Sequence, residues 1–204
     1  MLALIDVDRF FSELDKKIDF SVKILITGAV AGAIMGHLRA SEDIDFEIAL
    51  PKEASHKHLI EKVESAVREV CLAVKIPAQY SESIQGWSQI SLLNYREEAL
   101  AYKTIGKIEL LYLAPEHWSI GKLVRYLPLD KKDILNVFKK RGVKKEGIIK
   151  TWAHALESSP LSDRSREFKN HAVDFFKTEG KNVWGNNFSH EEAIAEFKRI
   201  ADIA

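Results

Sequence analysis

The spacing of apolar residues changes character several times along the chain. Residues 4–17 place Leu4, Val7, Phe10, Phe11 and Leu14 at helical intervals, with Lys16 and Lys17 in the last turn. A strand follows at 23–27, then a Gly28-Ala29 turn into a short helix, then a polar loop. From residue 43 the pattern alternates strictly. Ile44, Phe46 and Ile48 fall on one side, and Asp43, Asp45 and Glu47 on the other, because successive strand side chains face opposite ways. Pro51 opens a long helix whose stripe is Leu59, Val63, Val67, Val70, Cys71 and Val74.

Three strand-like runs come next, at about 78–84, 87–93 and 107–113, with Gly86 and Gly106 between them and a charged stretch at 95–102. The remainder reads as helices, at 116–126, 130–140 and 146–158, with Pro128 as a break. Ser162 caps a further helix carrying Phe168, Ala172, Phe175 and Phe176. Residues 180–188 read as a loop, and Ser189 with Glu192 forms a capping box for the last helix. A helix followed by locally pairing strands gives an α+β class rather than a βαβ alternation. The expected fold is a small mixed sheet with flanking helices over 1–114, followed by a helical part over 115–204.

Composition narrows the partners. Lys+Arg and Asp+Glu balance at 30 each, so no global field draws nucleic acid or anionic membrane; the basic run at 139–145 is the local exception. Cys71 is the single cysteine, which rules out an internal disulfide and suits a reducing cytoplasm. The first residues, with Asp6 and Asp8, do not read as a signal peptide, and no apolar stretch approaches the ~20 residues of a spanning helix. A soluble cytoplasmic protein is the expectation. Walker A, Rossmann, zinc-spaced and nucleophile-elbow patterns are all missing.

The acidic strand holds the candidate chemistry. Three acids on one face repel one another. Two carboxylates two residues apart at the end of a loop suit a divalent cation that prefers oxygen. The alternative is an exposed acidic strand edge. Backbone N–H groups at the Gly28-Ala29 turn offer a place for phosphate. Arg39 and Ser41, just before Asp43, can fork onto or donate to phosphate, although Arg39 is equally placed to pair with Glu42 or Glu47.

Thr27-Gly28-Ala29, thirteen residues, then Asp43-Ile44-Asp45 resembles the core motif of the nucleotidyltransferase (DNA polymerase β-like) superfamily. Ala31, Gly36, Arg39 and Ser41 in the spacer are most similar to its bacterial branch of AbiEii-type toxins. Ala29 departs from the Gly or Ser usual there. The resemblance implies a nucleotidyltransferase fold, Mg²⁺ bound by Asp43 and Asp45, and a nucleoside triphosphate as donor. It also implies an RNA or protein acceptor and, in a toxin–antitoxin or phage-defence locus, an antitoxin partner. Members usually add a third carboxylate. Ser91 stands in its place within the run 89–93, and Glu109 is the alternative acid. Leu113-Ala114-Pro115-Glu116, Gly121-Lys122-Leu123, Arg125 and Lys132-Asp133-Ile134 resemble the helical segment after the sheet in that branch. That match implies a phosphate-directed Lys122 and a bracing Asp133. The candidates are thus Asp43, Asp45 and Glu109 for catalysis, and Gly28, Ala29, Arg39, Ser41, Ser91 and Lys122 for the nucleotide. Ala29 and Ser91 favour a second reading, a binding or interaction module that has kept the fold and lost the chemistry.

Overall fold

The computed structural model describes residues 2–36, 41–49 and 56–202. The chain divides into two units. One comprises Met1–Ile34, Leu38–Ile84 and Glu98–Leu113; the other comprises Met35–His37, Gln85–Glu97 and Ala114–Ala204. Residues 85–97, expected among the strands, therefore group with the helices.

The first unit contains α1 (Leu4–Lys17), β1 (Val22–Ile26), α2 (Gly28–Ile34), β2 (Ile44–Ala49), α3 (His56–Val74), β3 (Ala78–Ser81), β4 (Leu100–Ile105) and β5 (Ile108–Tyr112). Pro51, expected to open α3, lies outside the described residues. The strands form one mixed sheet in the order β3-β2-β1-β5-β4. β1 runs antiparallel to β2 and parallel to β5, while β2 and β3 are parallel. The class is α+β, a five-stranded mixed sheet with flanking helices.

Alternation divides the sheet into two unlike faces. Ile24, Ile26, Phe46, Ile48 and Leu110 are buried on one. There Phe11 of α1 meets Phe46 edge-on at 5.4 Å, and Tyr80 stacks on Phe46 at 5.9 Å. The fully buried Phe11 and Phe46 rings contribute about 1.5–3 kcal/mol each. Burial and the nearby Glu64 of α3 push the Tyr80 hydroxyl up to about 12. The other face carries Lys23, Leu25, Asp45, Glu47, Gln79 and Glu109, all of which share it by strand register.

Residues 87–93 form no strand. Side chains take up their backbone groups instead, a local alternative to a ladder. Ile90 N–H donates to Ser88 Oγ at 3.2 Å, Leu92 N–H to Gln85 Oε1 at 2.6 Å and Ser91 N–H to Ser159 Oγ at 2.8 Å. The strand that does form, β4, is disguised by a bulge between Ala101 and Lys103, which breaks the alternation. It pairs with β5 across a two-residue turn. Gly106 opens the turn with φ 54°, as mirror-image hairpin turns require. Asp15 accepts the Lys107 N–H at 2.7 Å, a bond that holds its carboxyl below the usual value.

The second unit contains α4 (Pro115–Arg125), α5 (Pro128–Arg141), α6 (Lys145–Glu157), α7 (Asp163–Trp184) and α8 (His190–Ile200). Its core is aromatic. Trp152 meets Phe175 at 5.6 Å and Phe176 at 5.4 Å, and Phe176 meets Phe197 at 6.0 Å. The buried indole N–H of Trp152 donates to Ser119 Oγ at 2.9 Å, so its polar end is satisfied. Ser162 caps α7 by accepting the Ser165 N–H, and Ser189 caps α8 by accepting the Glu192 N–H. The loop expected from residue 180 begins only after Trp184. Gly180 is not a breaker: the Phe188 ring packs where its Cβ would stand, so the helix runs through it. Among the described residues, no helix is long and apolar enough to cross a membrane.

Candidate functional site

The Asp43–Asp45 stretch is built on a corner of the backbone. Thr27 N–H donates to Asp45 O at 2.9 Å, carrying the β1–β2 pairing one residue beyond the strand. Gly28 then turns at φ 61°, in the left-handed region that disfavours side chains, and opens α2. A Cβ placed there would overlap Asp45 Oδ2 and lie 3.0 Å from Asp45 Cγ. Glycine is therefore required twice, for conformation and for room, because the Asp45 carboxylate rests against it. Asp43 and Asp45 are both half-buried.

Asp43 is held from two sides. Ser41 Oγ donates to the Asp43 carbonyl at 2.7 Å, and Gln79 Nε2 donates to Asp43 Oδ2 at 3.2 Å. Gln79 lies on β3 in direct register with Asp45, so it joins the acidic face from the neighbouring strand. This residue was not among the sequence candidates. Its signal was weak but present: Tyr80 is an apolar position in a short alternating run, which sends Gln79 to the polar face.

Hard oxygen donors suit Mg²⁺, which is commonly held by one or two carboxylates while water and substrate phosphates complete the shell. The two aspartates fit that pattern, while the Gln79 amide turns its nitrogen to Asp43. Among the described residues, no group of three or more His, Cys, Asp or Glu side chains is placed to hold a metal. A cation held here would therefore need ligands beyond the two aspartates.

The other candidates fall in different settings. Glu109 does not complete this site. It is in register with Lys23, which pairs with Ala49, and its carboxylate meets Lys23 Nζ at 3.0 Å. That row is four residues from Asp45, about 13 Å along the strands, and two strands away, about 10 Å across. Strand register puts both acids on one face but in distant rows. A cavity of about 540 Å³ opens at this distant row, lined in part by Lys23, Ala49, Thr104, Lys107 and Glu109. Glu47 is buried and accepts the Ile84 N–H at 2.8 Å, a structural role.

Ser91 belongs to the second unit, off the sheet, and its hydroxyl donates to the Ser158 carbonyl at 2.9 Å. The expectation of a third-ligand strand there is corrected. Ser41, expected to donate to phosphate, is buried and gives its one proton to the Asp43 carbonyl. It braces the loop that carries the acid. Ala29 lies in the first turn of α2, half-buried. Arg39 lies outside the described residues.

Lys122, in the second unit, is buried. Its ammonium lies 2.7 Å from Asp133 Oδ2 and 3.2 Å from Asp130 Oδ1, and Arg125 reaches Asp130 at 2.8 Å. Two cations and two carboxylates thus balance within one helical unit. Burial alone would raise the Asp130 carboxyl, but Arg125 and Lys122 outweigh it and hold it below the usual value. Asp133, expected to brace, does pair here, whereas Lys122, expected to reach phosphate, gives its buried ammonium to Asp133 and Asp130 instead.

No protein-family model, curated protein or solved structure matches this chain.

Proposed function

We propose that the chain is a magnesium-dependent protein of nucleotidyltransferase type. It takes a nucleoside triphosphate at the Asp43–Asp45–Gly28 corner and passes the nucleoside monophosphate to a hydroxyl of RNA or protein. The observation that carries this reading is the Asp45 carboxylate seated against the left-handed Gly28, with Asp43 two residues before it. Asp43 and Asp45 supply the anionic oxygens for the cation, and Gln79 and Ser41 hold Asp43 in place. The start of α2 at Gly28 brings backbone close to the Asp45 carboxylate, and the positive end of a helix favours phosphate. When bound, Mg²⁺ neutralises charge on the phosphates. In the transfer, the acceptor oxygen bonds to the α-phosphorus as the bond to the bridging oxygen breaks. Pyrophosphate leaves with that electron pair, and the hydroxyl proton passes to water.

A second reading is retention of the nucleotide without transfer. It is favoured by the neutral Gln79 on the strand facing Asp45 and by Ala29 in the turn. A toxin role with an antitoxin partner, in a reducing cytoplasm, belongs to the first reading. It rests on the local motif resemblance and on Cys71 as the single cysteine.

The test is transfer of label from α-phosphate-labelled ATP, GTP, CTP or UTP, with Mg²⁺, to tRNA or to protein. The first reading expects labelled acceptor with the native chain and none with Asp45→Asn. Nucleotide binding without label transfer supports the second. Label transfer undiminished by Asp45→Asn contradicts both.

A further inference from the structure

We propose that Gln79 is a positioning residue for the cation seat, holding Asp43 ready beside Asp45 and limiting how strongly the seat grips a metal ion. This rests on the reading above. Two independent observations place Gln79 there. Strand pairing puts it directly opposite Asp45, and its amide nitrogen reaches Asp43 Oδ2 at 3.2 Å. An ionised carboxylate only accepts hydrogen bonds, so the amide must present its nitrogen to Asp43.

The chemistry follows from that geometry. Two like charges on one face tend to swing apart. An amide donor from the neighbouring strand fixes one of them before any cation arrives, without adding charge. Gln79 is itself exposed on a four-residue edge strand, and an exposed edge position has no packing need for this side chain. The same position is where one further carboxylate would strengthen the seat. Glu has the shape of Gln, and replaces a donor to Asp43 with a third anionic oxygen ligand. In the metal-free chain that exchange sets like charges against each other. With a divalent cation present it adds an attraction at short range. A side chain with only a structural role predicts no such reversal of sign.

Mn²⁺ serves as the probe, its free concentration read by electron paramagnetic resonance, with thermal melting recorded with and without Mn²⁺. The chains compared are the native protein, Gln79→Glu, Gln79→Leu and Asp45→Asn. Gln79→Leu is expected to weaken Mn²⁺ binding at least about threefold through loss of the charge-assisted bond. Gln79→Glu is expected to tighten it about tenfold or more. Gln79→Glu should also melt lower than the native chain without metal and gain more on adding it. If both Gln79 variants weaken binding alike, or both bind as the native chain does while Asp45→Asn abolishes binding, the positioning role is overturned and the cation seat stands. If Asp45→Asn binds Mn²⁺ as well as the native chain, the seat itself is wrong.

Discussion

Two groups of charged residues in this chain look alike in sequence and differ in setting. Lys122, Asp130 and Asp133 are buried within the helical unit, where opposite charges meet at 2.7–3.2 Å. Asp43 and Asp45 stand half-buried on the polar face of a sheet, beside a glycine corner and a neutral amide. The first group resolves its charge internally and holds helices together. The second brings two like charges to one half-buried place, an arrangement that a bound cation would relieve. Burial and the sign of the neighbours separate the two, and neither can be read from residue type alone.

The largest expected effect breaks the buried group. Lys122→Ala leaves two carboxylates without their shared cation and should cost about 3–5 kcal/mol, read as a lower urea midpoint. Asp45→Asn should change stability by no more than about 1 kcal/mol. If the two costs are equal, the contrast between the groups fails.

A smaller effect is expected at the corner. Gly28→Ala must put a Cβ at φ 61° against the Asp45 carboxylate, a strain of about 1–3 kcal/mol. It should also abolish Mg²⁺-dependent nucleotide binding as Asp45 is displaced. Native affinity in a folded Gly28→Ala chain would separate the corner from the site.

The acid limb sharpens the same contrast. Asp130 is held below its usual 3.8 by Arg125 and Lys122 against the effect of burial. A lowered carboxyl contributes stability that is fully present above the unfolded value and is lost as pH falls through the folded one. The urea midpoint should therefore hold steady down to about pH 5 and fall below about pH 4. Asp174, lowered by Lys131 and Tyr126 despite burial, adds to the same limb. A midpoint that falls between pH 7 and pH 5 instead would assign the acid sensitivity to other groups.

The smallest effect belongs to Glu109. Its pairing with Lys23 is exposed on both sides, and Glu109→Gln should alter stability by no more than about 0.5 kcal/mol. Mn²⁺ affinity should be unchanged. Weakened Mn²⁺ binding would return Glu109 to the site.

What the sequence made legible was periodicity. The alternation of Ile44, Phe46 and Ile48 against Asp43, Asp45 and Glu47 matches β2, and the apolar stripe of Val7, Phe10, Phe11 and Leu14 matches the buried side of α1. Ser162 and Ser189 mark helix starts because a cap is a local bond. Pairing between strands is not local, and there the reading ran out. Glu109 shares a face with Asp45, but its row depends on register with β1. Gln79 depends on β3 lying beside β2. The run at 87–93 has strand composition, yet Ser88, Gln85 and Ser159 take its backbone groups. Gly180 resembles a breaker until Phe188 is seen against it. Each miss involves a partner distant in sequence or a side chain competing for the backbone.

The central claim is that the Asp43–Asp45 pair at the Gly28 corner seats a magnesium-bound nucleoside triphosphate. Titration calorimetry of the native chain and Asp45→Asn with each triphosphate, with and without Mg²⁺, addresses it most directly. The account predicts heat of binding for at least one triphosphate, dependent on Mg²⁺ and lost in Asp45→Asn. No binding of any triphosphate by the native chain, or binding that Asp45→Asn leaves intact, would contradict it.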